Sequence, residues 1–445
     1  MKRNLLPFFG LLFCFPMFSQ SVSYTVFDEI LFYDGYAATV DHPVPDGVIR
    51  HRNDLYATKL TDEQLASLGS DVTVNVIVKA ACDNYDRIGN VNLAFVPKGQ
   101  TTYDPDDVQR IEIGRFITPF MNKNIMPNQV PYTYSLNNLS RIFKDPEITS
   151  LYDIWAELEI FGVPYAANTQ VAGCAGRNDV FYGTLEFVSS GNSAWDNPYT
   201  ALYPLSMKVN LNNYQEGATD QVGTTVRTIT FETEETIYAA KFYLITSNHG
   251  ANQGGEEYIR RWHYVNFNGT QVLSYRPGGL SCEPFRMYNT QANGIYGQNP
   301  QSPAWWASWN NWCPGDVIPV RTIDLGTLEP GTHTFVLSVP AAQFVDQQGY
   351  IPVSLYLQGT YSEAFAGVEN PAETTFSIYP NPVSDVFYIE SQETLKEVVV
   401  FDVVGQQVIK TSDDQINTTD LQSGIYFVQV EFENAQKAVR KIIKK

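Results

Sequence analysis

The chain has 445 residues, 29 Lys and Arg against 48 Asp and Glu, and a formal net charge of −19. At about 150 residues per domain this length points to roughly three domains, and 44% apolar with only 17% charged residues argues against global disorder. The acidic balance argues against nucleic acid or an anionic membrane surface as partner, and 60 aromatics with 25 Pro and 30 Gly favour short strands and turns over long helices.

Lys2 and Arg3 precede an uncharged stretch from Leu5 to Phe18 that closes on Ser19-Gln20-Ser21. A spanning helix needs about 20 apolar residues, so the pattern predicts a secretory signal peptide over 1–20. No later segment is long enough to span a bilayer as a helix. Cleavage would remove two positive charges and Cys14, leaving Cys82, Cys174, Cys282 and Cys313 in an oxidising compartment. Two disulfides are expected, with three pairings open. A Cys282–Cys313 bridge would close a loop spanning 31 positions and contribute roughly 3–4 kcal/mol. No Cys/His cluster suggests zinc. His42, His51, His249, His263 and His333 lack the tight spacing a copper site would need, so no metal is expected.

Val72–Val78 alternates with period two except at Ile77, and Thr332–Val339 and Val353–Leu357 are similar. Such runs, separated by Gly, Pro, Asn and Asp clusters, predict antiparallel sheets in a sandwich or jelly roll. One helix is expected near Ser135–Phe143. Ser189–Ser193 is a polar break suited to divide two β-domains. A third unit follows the polar stretch 364–375 and contains Ile378-Tyr379-Pro380-Asn381-Pro382, Val398–Phe401, Gly405 and Leu421–Val428. Residues 437–445 hold five basic side chains and no acid.

Three clusters carry chemistry. The first, Cys82-Asp83-Asn84-Tyr85-Asp86-Arg87, directly follows a predicted strand. By spacing alone Asp86 and Arg87 read as a surface ion pair, worth about 0–1 kcal/mol. The second contains Glu256 and Glu257. Adjacent strand residues face opposite ways, so only one can enter a given pocket, where burial would raise its pKa. In isolation one solvated and one paired glutamate is the simpler expectation. The third runs from Gln301 to Gly315 and packs Trp305, Trp306, Trp309 and Trp312 into eight positions. Indole faces stack on sugar rings and their N–H groups bond hydroxyls, so Trp306 and Trp309 are candidate substrate-binding residues, with Tyr85 beside Asp86.

Together these clusters resemble the peptide-N-glycosidase F family. CDNYDR resembles its CDEWDR-type segment, Ile113–Phe120 (IGRFITPF) its IGRFITPY segment, Gly255–Tyr258 its GCAEW segment, and the QSP…WCPG stretch its last loop. The order YPNPVSD, FDVVGQQV, LQSGIYFVQV and a basic end resembles the C-terminal sorting domain of type IX secretion substrates from Bacteroidetes-type bacteria. The resemblance implies an all-β fold: two adjacent eight-stranded antiparallel jelly rolls over 21–192 and 193–360. A linker over 361–372 and a small β-sandwich over 373–445 would follow. It implies a secreted or surface hydrolase acting on N-glycosylated proteins or glycopeptides and exported by the type IX machinery. It implies no cofactor, and a monomer is expected.

By motif position the resemblance makes Asp86 the principal catalytic aspartate, Arg87 its ordering neighbour and Glu257 a supporting glutamate. A second supporting glutamate has two placements. Aligning Ile154–Glu157 with the family's IYTE keeps it as Glu157. Aligning Leu158–Phe161 instead puts Val163 there, which fits slightly better. The family partner of Cys82 is missing, and Cys174 is the substitute that the resemblance leaves, giving a Cys82–Cys174 bridge. The arginine preceding WCPG is not found. These departures leave a glycan-binding or adhesion protein without catalysis as the alternative function.

Overall fold

The computed structural model describes residues 21–190, 200–215, 223–361, 376–379, 381, 383–391, 394–402, 407–432 and 437–444. The expected signal peptide (1–20), 191–193 of the polar break, 362–372 of the expected linker and Gly405 lie outside the described residues. The chain forms two compact units divided after Glu363.

The first half of the larger unit supplies nine strands: β1 (Val22–Tyr33), β2 (Val48–Arg52), β3 (Leu55–Lys59), β4 (Asp71–Ala80), β5 (Ile88–Pro97), β6 (Gln109–Ile117), β7 (Gln129–Ser135), β8 (Tyr152–Ile160) and β9 (Asp179–Ser190). One sheet runs β1-β9-β4-β7, and the facing sheet contains β6-β5-β8-β3-β2. With the β2–β3 hairpin counted once, eight successive strands pair 1-8-3-6 and 5-4-7-2, the order of a jelly roll. Period-two alternation sets the faces. Val72, Val74, Val76 and Val78 of β4 are buried in the core while Ile77 points outward, 36% exposed.

The second half adds β10 (Thr200–Leu211), β11 (Val226–Thr233), β12 (Ile237–Thr246), β13 (His263–Phe267), β14 (Thr270–Tyr275), β15 (Val317–Ile318), β16 (Arg321–Leu328), β17 (Gly331–Ser338) and β18 (Ile351–Thr360). Its sheets, β10-β18-β12-β16 and β11-β17-β13-β14, repeat the same order with eight strands. The two-residue β15 instead extends the first sandwich by pairing with β6. Strand β18 is almost wholly buried because both its faces are covered. Leu355 and Leu357 face their own core, while Tyr356 packs on the core of the first sandwich.

The junction carries a buried ion pair. Arg115 on β6 donates from Nε and Nη2 to Glu112, both at 2.7 Å, and from Nη1 to Ser247 Oγ and the Pro352 carbonyl, both at 2.9 Å. Both partners are fully enclosed, so removing either would strand a buried charge at a cost of about 3–5 kcal/mol. The same IGRFITPF segment packs Phe116 on Tyr132 with ring centroids 4.3 Å apart.

The helix expected near Ser135–Phe143 is two short 3₁₀ turns, Asn137–Leu139 and Ile142–Lys144. Asn137 turns its side-chain oxygen to the Val72 amide. Asp145 caps a separate short helix, Pro146–Leu151. These local bonds compete with a continuous helix.

The second unit pairs β19 (Phe376–Tyr379), β20 (Val386–Ser391) and β23 (Gln415–Asn417) in one sheet. The other contains β22 (Gln407–Thr411), β21 (Leu395–Phe401), β24 (Gly424–Phe432) and β25 (Lys437–Lys444). Phe387, Val398, Val428 and Ile442 are among its core residues.

Candidate active site

Four sequence motifs meet at the sandwich junction. The Ile117 amide donates to the Asp316 carbonyl at 3.0 Å, and Gly315 N donates back to the Ile117 carbonyl at 2.9 Å, joining IGRFITPF to WCPG. Buried Thr118 accepts the Arg87 amide at 2.7 Å and donates to the Tyr85 carbonyl at 3.1 Å, joining IGRFITPF to CDNYDR. Asn311 donates from Nδ2 to the carbonyls of Glu256 and Glu257 at 2.9 and 2.7 Å, joining the tryptophan-rich segment to GEEY.

The loop after β4 is rigidly held. Arg87 Nε donates to Asp83 Oδ2 at 2.6 Å, and the Val163 amide donates to that same oxygen at 2.6 Å. Burial pushes the Asp83 carboxyl up, against the pull of Arg87. The sequence pairs Arg87 with its neighbour Asp86, but the structure pairs it with Asp83. Asp86 Oδ2 is enclosed and has no hydrogen-bond partner among the described residues. Burial first, and the field of Glu257 second, push the Asp86 carboxyl well above the ordinary range, and Arg87 opposes this. A carboxyl held this way gives up its proton nearer neutrality than an exposed one does.

Glu256 and Glu257 do point apart, but they sit in a turn between β12 and β13 and not on the strand that the sequence suggested. Glu256 is fully buried, bound in two-point fashion by Arg261 at 3.0 Å and by the Gln343 amide at 2.8 Å. Glu257 turns to the site and accepts from Gly250 N at 3.2 Å. Burial raises its pKa, against its hydrogen bond with Tyr258. The Tyr258 hydroxyl is pushed up by burial and by the fields of Glu257 and Asp86, so it stays protonated and can donate. The loop entering Glu257 needs glycine, since a Cβ on Gly255 would lie 2.1 Å from the Gly250 carbonyl oxygen.

Beside these carboxyls opens a cleft of about 580 Å³. Tyr85 and Phe120 form one aromatic wall, and Trp305, Trp309 and Tyr258 form another. Asn84 and Asn293 supply polar atoms, and among the described residues no charged side chain lines the cleft. Trp306 is a correction. It is fully buried against the Cys282–Cys313 bridge and donates from Nε1 to Glu283 at 3.0 Å. The reason is helical phase. Ser302 caps the single turn Pro303–Ala307, which turns Trp305 outward, 38% exposed, and Trp306 inward. Trp305, which the sequence alone did not single out for binding, and Trp309 line the cleft.

Glu157 is a second correction. It lies mid-strand in β8, opposite Asn92 and Ala57. There it is fully buried and accepts from Asn92 at 2.9 Å, Tyr103 at 2.8 Å and Arg110 at 2.6 Å. The Asp86 loop sits beyond a strand end, and Val163, three residues past the end of β8, is the residue that reaches it. Asn311 and Thr118 are positioning residues missed from sequence, because their work is to hold backbone in other motifs.

Both disulfides form, Cys82–Cys174 and Cys282–Cys313. Among the described residues no group of three or more His, Cys, Asp or Glu could hold a metal ion, and no helix is long and apolar enough to cross a membrane.

Residues 23–175 match the family model described as peptide-N-glycosidase F, N terminal, and 213–358 the model for its C-terminal part. Residues 377–445 match the secretion system C-terminal sorting domain. Two crystal forms of the structure named PNGF-II superpose with TM-scores of 0.55 and 0.54 at 17% and 18% identity. The match covers 77% of this chain in both cases, and 66% and 65% of theirs, just under two thirds. PNGase F from Flavobacterium meningosepticum, described as a glycosylasparaginase, is 15% identical with a TM-score of 0.46, over 77% of this chain and 96% of that one. No curated protein matches. At these identities the PNGF-II superpositions establish the fold, and the family rests on the two domain matches. The sorting domain marks the chain for type IX secretion to the cell surface or outside.

Proposed function

As this chain belongs to the peptide-N-glycosidase F family, we propose that it is an amidase that hydrolyses the side-chain amide of N-glycosylated asparagine in proteins or glycopeptides. The observation that carries the reading is the pair of raised carboxyls, Asp86 and Glu257, beside an uncharged aromatic cleft.

In this reading the cleft takes the sugar rings, with Tyr85, Trp305 and Trp309 as stacking faces. Asp86 removes a proton from water as its oxygen bonds to the amide carbon. The C–N bond then breaks, the nitrogen takes a proton and leaves on the sugar as a glycosylamine, and the asparagine becomes aspartate. Glu257 and the donating Tyr258 hydroxyl supply the proton to the leaving nitrogen. Arg87, held by Asp83, keeps positive charge near the developing oxyanion. Glu157 has no part in this scheme, being committed to Arg110 and Tyr103. Type IX export would bring the enzyme to glycoproteins outside the cell.

The test is incubation with a denatured N-glycoprotein and with glycopeptides of several glycan types. Released glycans with aspartate at the former sites support the reading, and intact sites across all types reject it. One observation favours a second reading, a glycan-binding protein without turnover: Val163, not a glutamate, reaches the site loop. Glycan-array binding without release, weakened by Trp309→Ala, would favour it.

A further inference from the structure

We propose that the segment from Val163 to Cys174, between β8 and β9, is a strut that positions the Asp83–Asp86 loop, with Gln170 orienting Asn84 at the cleft. Three attachments carry this. The Val163 amide binds Asp83 Oδ2 at 2.6 Å, and the Val163 carbonyl accepts from Arg87 at 3.4 Å. Gln170 Oε1 accepts from Asn84 Nδ2 at 2.8 Å. Cys174 is bonded to Cys82, the residue before Asp83. The segment therefore grips residues 82, 83, 84 and 87, all around Asp86.

The strut is itself braced. Asn168 donates to the Pro164 and Arg177 carbonyls at 2.8 and 3.1 Å. Lys123 donates to the Gly173 carbonyl at 3.1 Å, and Asn124 to the Ala172 carbonyl at 3.0 Å. These bonds matter because the segment has little regular structure, only the single turn Ala167–Gln170.

Gln170 has the most specific task. Asn84 is 1% exposed and lines the cleft, and its Oδ1 has no partner among the described residues. An amide side chain can rotate end for end, and what fixes it is its hydrogen-bond network. The acceptor Gln170 Oε1 holds the Asn84 nitrogen away and leaves Oδ1 for a donor. Gln170 and the Cys82–Cys174 bridge are positioning residues and touch no substrate.

Only the kinetic arm of the test rests on the amidase reading. Gln170→Ala should raise KM for a glycopeptide about tenfold, the loss of roughly one net hydrogen bond, while kcat changes less than about twofold. Gln170→Glu keeps an acceptor of the same length and should restore KM. In hydrogen exchange, peptides covering 82–88 should exchange faster in Gln170→Ala, and faster still in a Cys82→Ser/Cys174→Ser variant, with the second sandwich unchanged. Exchange needs no turnover, so it decides the strut even if the chain releases no glycan. Unchanged exchange over 82–88 in both variants overturns the proposal, as does a KM in Gln170→Ala equal to that of the parent. A Glu variant as impaired as the Ala variant would overturn the role given to Gln170.

Discussion

Asp86→Asn should inactivate the protein and make it more stable. The carboxyl sits with one enclosed, unpartnered oxygen, and burial and Glu257 both oppose its ionisation. Its folded pKa therefore lies above its unfolded value near 3.9. Such a group stabilises the fold fully below the unfolded pKa, and that contribution is lost as pH rises through the folded one. A neutral isostere removes the loss. One pKa unit is worth about 1.4 kcal/mol; a folded value of about 8 would put the roughly three units up to neutral pH at about 4 kcal/mol, and solvent at the partly open site brings the expected gain down to about 1–2 kcal/mol. That is about 2–4 °C in Tm per kcal/mol for a domain of this size. Thermal melts of both proteins should coincide near pH 4 and separate progressively towards pH 8. Turnover should fall by about 10²–10⁴, the typical contribution of a general base. A variant that turns over normally, or melts lower than the parent at neutral pH, refutes the reasoning.

The pH profile of kcat/KM should show an acidic limb well above the ordinary carboxylate range, since burial and the field of Glu257 raise Asp86, the base. A limb near pH 4 would contradict its assignment. Trp305→Ala should raise KM with Tm nearly unchanged, whereas Trp306→Ala should cost about 3–5 kcal/mol of stability, read in denaturant melts. The opposite pattern would reverse which indole faces the cleft. Glu157→Gln should destabilise the first sandwich by about 2–4 kcal/mol, because Arg110 loses its charge partner, while the folded fraction keeps the parent kcat. A selective loss of kcat would return Glu157 to the chemistry.

The sequence shows the sandwiches clearly wherever one face is buried. The alternation of Val72, Val74, Val76 and Val78 names the inward face of β4 directly. Val353–Leu357 of β18 reads as a one-faced alternating strand, but the other sandwich covers its second face, a tertiary fact that the alternation does not carry. The motif order located Asp86, Glu257 and Trp309 without their partners. Trp305 and Trp306 are neighbours of identical type, and only the phase of one helical turn separates a cleft wall from a core residue. In the sequence Glu157 is ambiguous, because two alignments shift the strand end and a carboxylate at mid-strand looks like one at its tip. Arg87 pairs with Asp83 and not with adjacent Asp86, and the same Asp83 oxygen is held by the backbone amide of Val163, 80 residues away in sequence.

The most direct measurement is turnover of a defined N-glycopeptide in heavy-oxygen water, read by mass spectrometry of the peptide product. The account predicts aspartate at the former glycosylated asparagine carrying one heavy oxygen, with no product from Asp86→Asn. Intact glycopeptide, or a peptide that keeps asparagine or a sugar stub, would contradict hydrolysis at the side-chain amide.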